Sequence, residues 1–173
     1  MTYAIIPVYN TMAPFILQGG LLLSPKSYGY VGMVIGLSWL LGSFFNQHLV
    51  KRFHPVKLYR AWLIFYYAAT LAFLILSHFI AVNLIHAVIP IIVIYFLGGA
   101  LFMYSLYFSL RSFPGLEGMM TAIRTFLIVI ITTLLSFIGA YVPSTHMVSL
   151  IAMYVCMSLF ALISYLIFLR LGD

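Results

Sequence analysis

The feature that most restricts what this chain can become is the length of its uncharged apolar stretches. A helix rises about 1.5 Å per residue and a bilayer's hydrocarbon core is about 30 Å thick, so roughly 20 mainly apolar residues suffice for one crossing. Six such runs follow one another: Thr2 to Leu23, Tyr30 to Val50, Leu58 to His78, Ile85 to Leu110, Met119 to Tyr141 and Met147 to Arg170. The segments between them read SPKSYG, KRFHPVK, FIAVN, RSFPGLEG and VPSTH, and Pro25, Pro55, Pro114 and Pro143 all fall there, where a missing amide donor does least harm. With 65% hydrophobic and 6% charged residues, a soluble domain is excluded. The expected fold is an all-α integral membrane bundle of six transmembrane helices, one unit over residues 1–173.

The formal charge of +6 does not mark a nucleic-acid binder, because a basic groove needs clustered cations on a solvated face. It reads instead as a topology mark. Four of the eight Lys and Arg residues, Lys51, Arg52, Lys57 and Arg60, sit in one basic loop, LVKRFHPVKLYR. Six spans place that loop on the same side as both termini, Arg111, Arg124 and Arg170, and leave only Lys26 on the other. By the positive-inside rule both termini are expected in the cytoplasm of a plasma (inner) membrane. Trp62 and Tyr59, next to the loop, fit interfacial aromatic anchors. The first residues, MTYAIIPVYN, lack the positive region of a secretory leader, so no cleavage is expected.

Polar atoms enter the first span in a pattern. Tyr3, Pro7, Asn10, Pro14 and Gln18 recur every three or four residues and share one helical face. Pro14 cannot donate to the Asn10 carbonyl, so a freed acceptor and a side-chain amide lie at one level beside Thr11. Such a face suits either a helix lining a cavity and bending as it opens, or a kinked helix whose amides are satisfied by neighbours. In the second span Gly32 and Gly36 form a GxxxG, with Gly42 and Ser43 further on, a strip that permits close helix approach. Trp39, Asn46 and Gln47 add polar and aromatic surface toward the basic end. The fourth span carries Tyr95, Gly98, Gly99, Phe102, Tyr104 and Tyr107, which serve either an amphipathic ligand or plain packing. The third and sixth spans read as apolar nearly all round, hence peripheral and lipid-facing.

Ionisable chemistry is sparse. Glu117 and Asp173 are the only acids and neither lies inside a run, so a proton-relay carboxylate is missing. Glu117 suits the positive end of the fifth helix, with Arg124 two turns on. One cysteine, Cys156, excludes an internal disulfide and a structural zinc site, and His48, His54, His78, His86 and His146 sit in or near loops; no metal or cofactor is expected. No intramembrane aspartate pair and no HExxH occur, and GLSW around Ser38 lacks the second glycine of a GxSG nucleophile, so an enzyme is not expected.

The run APFILQGGLLLSPKSYGYVGMVIGLSWLLGSFFNQHLVKRF with PVKLYR resembles the seventh and eighth spans of major facilitator superfamily transporters, drug:proton antiporter branch, of the bicyclomycin and chloramphenicol exporter type. FLGGALFMYSLYFSLRSFPGLEGMMTAIRT is similar to the tenth span, its loop and the start of the eleventh. Departures are specific. Where the family's basic loop carries an Asp and a Gly, this chain has Gln47 or His48 and His54, and the Gly-Pro-Gly antiporter motif and the Arg-containing motif of the N-terminal half are absent. The resemblance therefore is to the C-terminal half alone, two inverted three-helix repeats with substrate bound near the midplane between halves.

On that resemblance the expected activity is half of a proton-coupled exporter of small amphipathic molecules working by alternating access. Asn10, Gln18, Trp39, Tyr95 and Tyr104 would line the route, and Pro14, Gly32, Gly36, Gly98 and Gly99 would permit bending or packing. The partner beyond the bilayer would be a separate N-terminal six-helix half or a second copy of the chain. A split-gene remnant without transport and a self-associating scaffold or homodimeric carrier are the other readings.

Overall fold

A computed structural model describes residues 2–79, 83–111, 115–141 and 147–171. Pro114, Pro143, His146 and Asp173 lie outside them. Among the described residues the chain is all helical, and five helices are long and apolar enough to cross a membrane: α2 (Pro25–Val50), α3 (Pro55–Phe79), α4 (Leu84–Arg111), α5 (Glu117–Tyr141) and α6 (Met147–Leu171). The chain is a multi-pass membrane protein, as backbone groups in hydrocarbon demand.

The first run departs from the expected regular span. It begins as a 3-10 turn, Thr2–Ala4, continues as the short α-helix α1 (Ile5–Ala13), and widens into a π-helical stretch at Pro14–Gly20. Pro14, with no N–H to give, stands where the hydrogen-bond pattern changes. The stretch closes when the Leu21 N–H reaches the Ile16 carbonyl at 3.1 Å and the Leu23 N–H reaches Leu17 at 3.0 Å, around Leu22 in a left-handed conformation (φ 54°). The next helix starts earlier than its hydropathy implied. Ser24 caps α2 by accepting from the Ser27 N–H at 3.2 Å, and Pro25 fills the first turn.

Despite its irregularity, α1 is held in the core. Ile5, Val8, Tyr9, Met12 and Ala13, followed by Ile16 and Leu17, are buried, whereas Tyr3 and Asn10 are exposed and Pro7, Pro14 and Gln18 are half-buried. The stripe therefore turns outward at Asn10 and partly at Pro14 and Gln18, while the Tyr3 ring stays against Trp39 and Phe102.

Side-chain registers give the running directions. Trp39 meets Tyr95, and Ser43 meets Gly99, so α2 and α4 are parallel. Tyr9 meets Tyr95 and Tyr3 meets Phe102, so α1 is antiparallel to α4. Tyr59 meets Tyr104 and Trp62 meets Phe96, setting α3 antiparallel to α4, while Tyr59 with Tyr165 and Thr70 with Ser158 set α3 antiparallel to α6. On α5, Gly139 faces Met12, and Arg124 stands over Phe102 beside Tyr3, so α5 runs with α1. All six segments thus alternate in direction. The principal packings are α2 on α4, α3 on α6, α3 on α4, α1 on α5, α4 on α5 and α6 on α1.

Two expectations need correction. Trp62 is not an exposed interfacial anchor but is buried, its indole N–H donating to the Asn46 side-chain oxygen at 3.0 Å. The third and sixth helices are not uniformly apolar: Tyr66, Thr70, Tyr154 and Ser158 form an inward polar strip, with the Thr70 and Ser158 hydroxyls 3.0 Å apart. Their outer faces, with Ile64, Phe65, Phe160 and Ile163, are open.

Candidate functional site

Between α2 and α4, at the end bearing the basic loop, lies a groove of about 650 Å³. Its walls come from Trp39, Ser43, Phe44 and Gln47 on α2 and from Met103, Tyr104 and Tyr107 on α4, with Lys51 at the mouth. Its existence follows from how tightly the two helices cross above it. The Ser43 hydroxyl bridges to the Trp39 carbonyl and to the Gly99 carbonyl on the other helix, each at 3.1 Å. A Cβ at Gly42 would collide with the Phe96 backbone carbonyl, and one at Gly99 with that of Trp39. Only glycine admits this approach at either position.

An aromatic cluster forms the inner end. Trp39 meets Tyr95 edge-on at 6.0 Å between centroids, Tyr3 at 6.3 Å and Phe102 at 5.8 Å, and the Arg124 guanidinium stands 4.8 Å from the Phe102 centroid. Beneath it, the Tyr95 hydroxyl points at the Ile5 carbonyl at a long 3.4 Å. The Tyr104 hydroxyl lies beside the Asn46 amide without reaching hydrogen-bond geometry. Tyr9, Tyr66 and Tyr154 likewise carry buried hydroxyls without a protein partner.

Of the expected lining residues, the fold brings Trp39 and Tyr104 into this groove. Tyr95 is buried behind Trp39, and Asn10 and Gln18 lie on the outward stripe of the first segment. Gly98 packs against the Ile5 side chain and the Trp39 ring. A Cβ at Gly32 or Gly36 would meet nothing within 4 Å beyond its own helix backbone, so the GxxxG serves no helix contact among the described residues. Lys51, Arg52, Lys57 and Arg60 are all exposed at the basic end. Thr11 donates to the Pro7 carbonyl at 2.9 Å, one turn before the acceptor that Pro14 frees. Sequence reasoning missed the Gly42 and Gly99 crossing as the groove's organiser, although Gly99 and Ser43 were visible as small residues.

Glu117 accepts from the Gly115 N–H at 3.0 Å and thereby caps the turn into α5. It is the only acid among the described residues and takes no part in the groove. No group of three or more His, Cys, Asp or Glu side chains among them has metal-site geometry.

No family model, curated protein or solved structure matches the chain. The groove, the outward stripe and the helix directions therefore carry the functional reading by themselves.

Proposed function

We propose that this chain is a non-enzymatic transport module: half of an alternating-access carrier for a small amphipathic molecule, with both termini and the basic loop in the cytoplasm. The supporting observation is a symmetry of packing. Exchanging α1 with α4, α2 with α5 and α3 with α6 turns the α2 and α4 pair into α5 and α1, turns α3 and α4 into α6 and α1, returns α3 and α6 to itself, and turns α4 and α5 into the first segment and α2, which meet through Pro14–Gly20. Because the segments alternate, each exchange reverses direction. That is the relation expected of two inverted three-helix repeats, the arrangement that lets a carrier open to either side. It agrees with the resemblance of the sequence to the C-terminal half of major facilitator drug exporters.

The groove would supply the substrate route, with Trp39 and Tyr104 as its aromatic wall. The stripe of Asn10, Pro14 and Gln18 would face a water-filled cavity or a second six-helix half, since such a face is costly against lipid. A second copy of the chain is the other candidate for that partner, favoured by the open Gly32 and Gly36 strip, which small-residue pairing between identical helices would cover.

The test is accessibility. In a Cys156→Ser background, single cysteines at Asn10, Gln18 and Gln47 are exposed to a membrane-impermeant maleimide in right-side-out and inverted vesicles. A carrier predicts that Asn10, deep in its span, is labelled, and that adding a transported amphiphile moves the labelling from one side to the other. Labelling of none of the three positions from either side would mean a lipid-sealed bundle and would end the transport reading.

A further inference from the structure

The charge of the groove points to the kind of molecule it holds. Among the described residues Lys51 is the one charged wall residue, and Arg52 and Lys57 follow in the same loop. Its interior is Trp39, Phe44, Tyr104, Tyr107 and aliphatic surface, with the Ser43 hydroxyl and the Asn46 and Gln47 amides as further polar groups, the Asn46 oxygen already accepting from the Trp62 indole. No carboxylate stands among its described wall residues. A cationic amphiphile placed here would bring its charge against an ammonium group in a partly apolar setting, which is unfavourable for both. An anionic head would gain the Lys51 charge and the Gln47 amide donors while its chain displaced water from the aromatic wall. A volume near 650 Å³ falls in the range that buries a drug-sized molecule, enough for one alkyl chain and its head.

We infer that the groove binds a single-chain anionic amphiphile, of the long-chain carboxylate class, with its head at Lys51 and its chain running along Trp39 and Tyr104. This rests on the groove that the transport reading uses as its route, and it narrows that route to substrates of negative charge. The open mouth beside the basic loop lets such a molecule enter at the level of the headgroups.

Trp39 makes the inference measurable, because it is one of only two tryptophans and lines the groove, whereas Trp62 is buried between α2 and α3. The full chain in phosphatidylcholine vesicles is titrated with a brominated long-chain fatty acid, whose bromine quenches indole fluorescence on contact. Trp39→Phe provides the blank that isolates the Trp39 component. The expected result is saturable quenching of Trp39 by the fatty acid, with a brominated long-chain amine and brominated phosphatidylcholine quenching only in proportion to their share of the bilayer. Lys51→Glu, at an exposed position, should weaken the fatty-acid affinity at least tenfold without changing the helix content. Lys57→Gln, outside the walls, should change it less than threefold.

Equal quenching by all headgroups, preference for the amine, or an unchanged affinity in Lys51→Glu would overturn the inference. Saturable quenching by brominated phosphatidylglycerol at lower mole fraction than the fatty acid would overturn it too, making this a site for a two-chain lipid. Binding and transport fail separately. Fatty-acid binding with no change in cysteine accessibility would remove the carrier and leave the site, whereas switching accessibility driven by a cationic probe alone would do the reverse.

Discussion

Two glycines in one helix should respond in opposite ways to the same methyl group. Gly36 lies on the GxxxG strip and has open space where a Cβ would stand, whereas at Gly42 the Cβ would press on the backbone of Phe96. Replacing glycine by alanine inside a helix gains about 1 kcal/mol from the chain's lower freedom when unfolded. Gly36→Ala should therefore be stabilising by up to about 1 kcal/mol. At Gly42 the same gain is opposed by overpacking, which costs about 1–3 kcal/mol, and the upper part of that range applies because a backbone carbonyl cannot rotate aside. The expected net loss is about 1–2 kcal/mol, putting the two variants about 2–3 kcal/mol apart. For a chain of this size 1 kcal/mol moves the melting temperature by about 2–4 °C, so the variants should differ by about 4–12 °C. Thermal unfolding in mild detergent, followed by circular dichroism at one fixed scan rate, reads this difference. Gly99→Ala, facing the Trp39 carbonyl across the same crossing, should fall with Gly42→Ala. If Gly42→Ala melts at or above Gly36→Ala, the α2 and α4 crossing described here is wrong.

Further outcomes are expected from the polar interior and the basic loop. Trp62→Phe leaves the buried Asn46 oxygen without its donor and should cost about 1–3 kcal/mol, most of it recovered in the Asn46→Leu, Trp62→Phe double variant; additive losses in that cycle would exclude the bond. Thr70→Val and Ser158→Ala should show a coupling near 0.6 kcal/mol, the usual size of an interhelical hydrogen bond in a membrane, measured by the same melting assay. Tyr66→Phe and Tyr154→Phe remove buried hydroxyls that have no protein partner and should be neutral or stabilising; a loss above about 1 kcal/mol in either would show that the hydroxyl anchors internal water. Cysteines at Lys57 and Lys26, in the Cys156→Ser background, should be labelled from opposite sides of the membrane, Lys57 from the cytoplasm. Labelling from one side would break the alternation of segments.

What could be read in advance was what the bilayer imposes on any chain. Lengths near one crossing and a polar stripe at helical spacing in Thr2–Gly20 follow from the need to satisfy backbone groups without water, whereas Pro25 and Pro55, expected in the turns, open α2 and α3 instead. Pro14 marked where the first segment loses regular hydrogen bonding, because the missing N–H is a property of that residue alone. The basic loop was equally plain, since charge is rare enough in this chain for its position to speak.

The partners of each face were decided elsewhere. Small residues favour close approach to any helix, so the sequence marked Gly32 and Gly36 as readily as Gly42 and Gly99, and only the crossing register chose the second pair. Trp62 next to a basic loop looked like an interfacial anchor until α2 supplied Asn46 from sixteen residues away. Tyr66, Thr70, Tyr154 and Ser158 became one polar strip only when α3 met α6. Trp39 and Tyr104 form one groove because α2 and α4 run parallel and touch at glycine. Hydropathy along a chain fixes that a segment enters the membrane; which side chains share a surface there depends on helix rotation and register, which are properties of pairs.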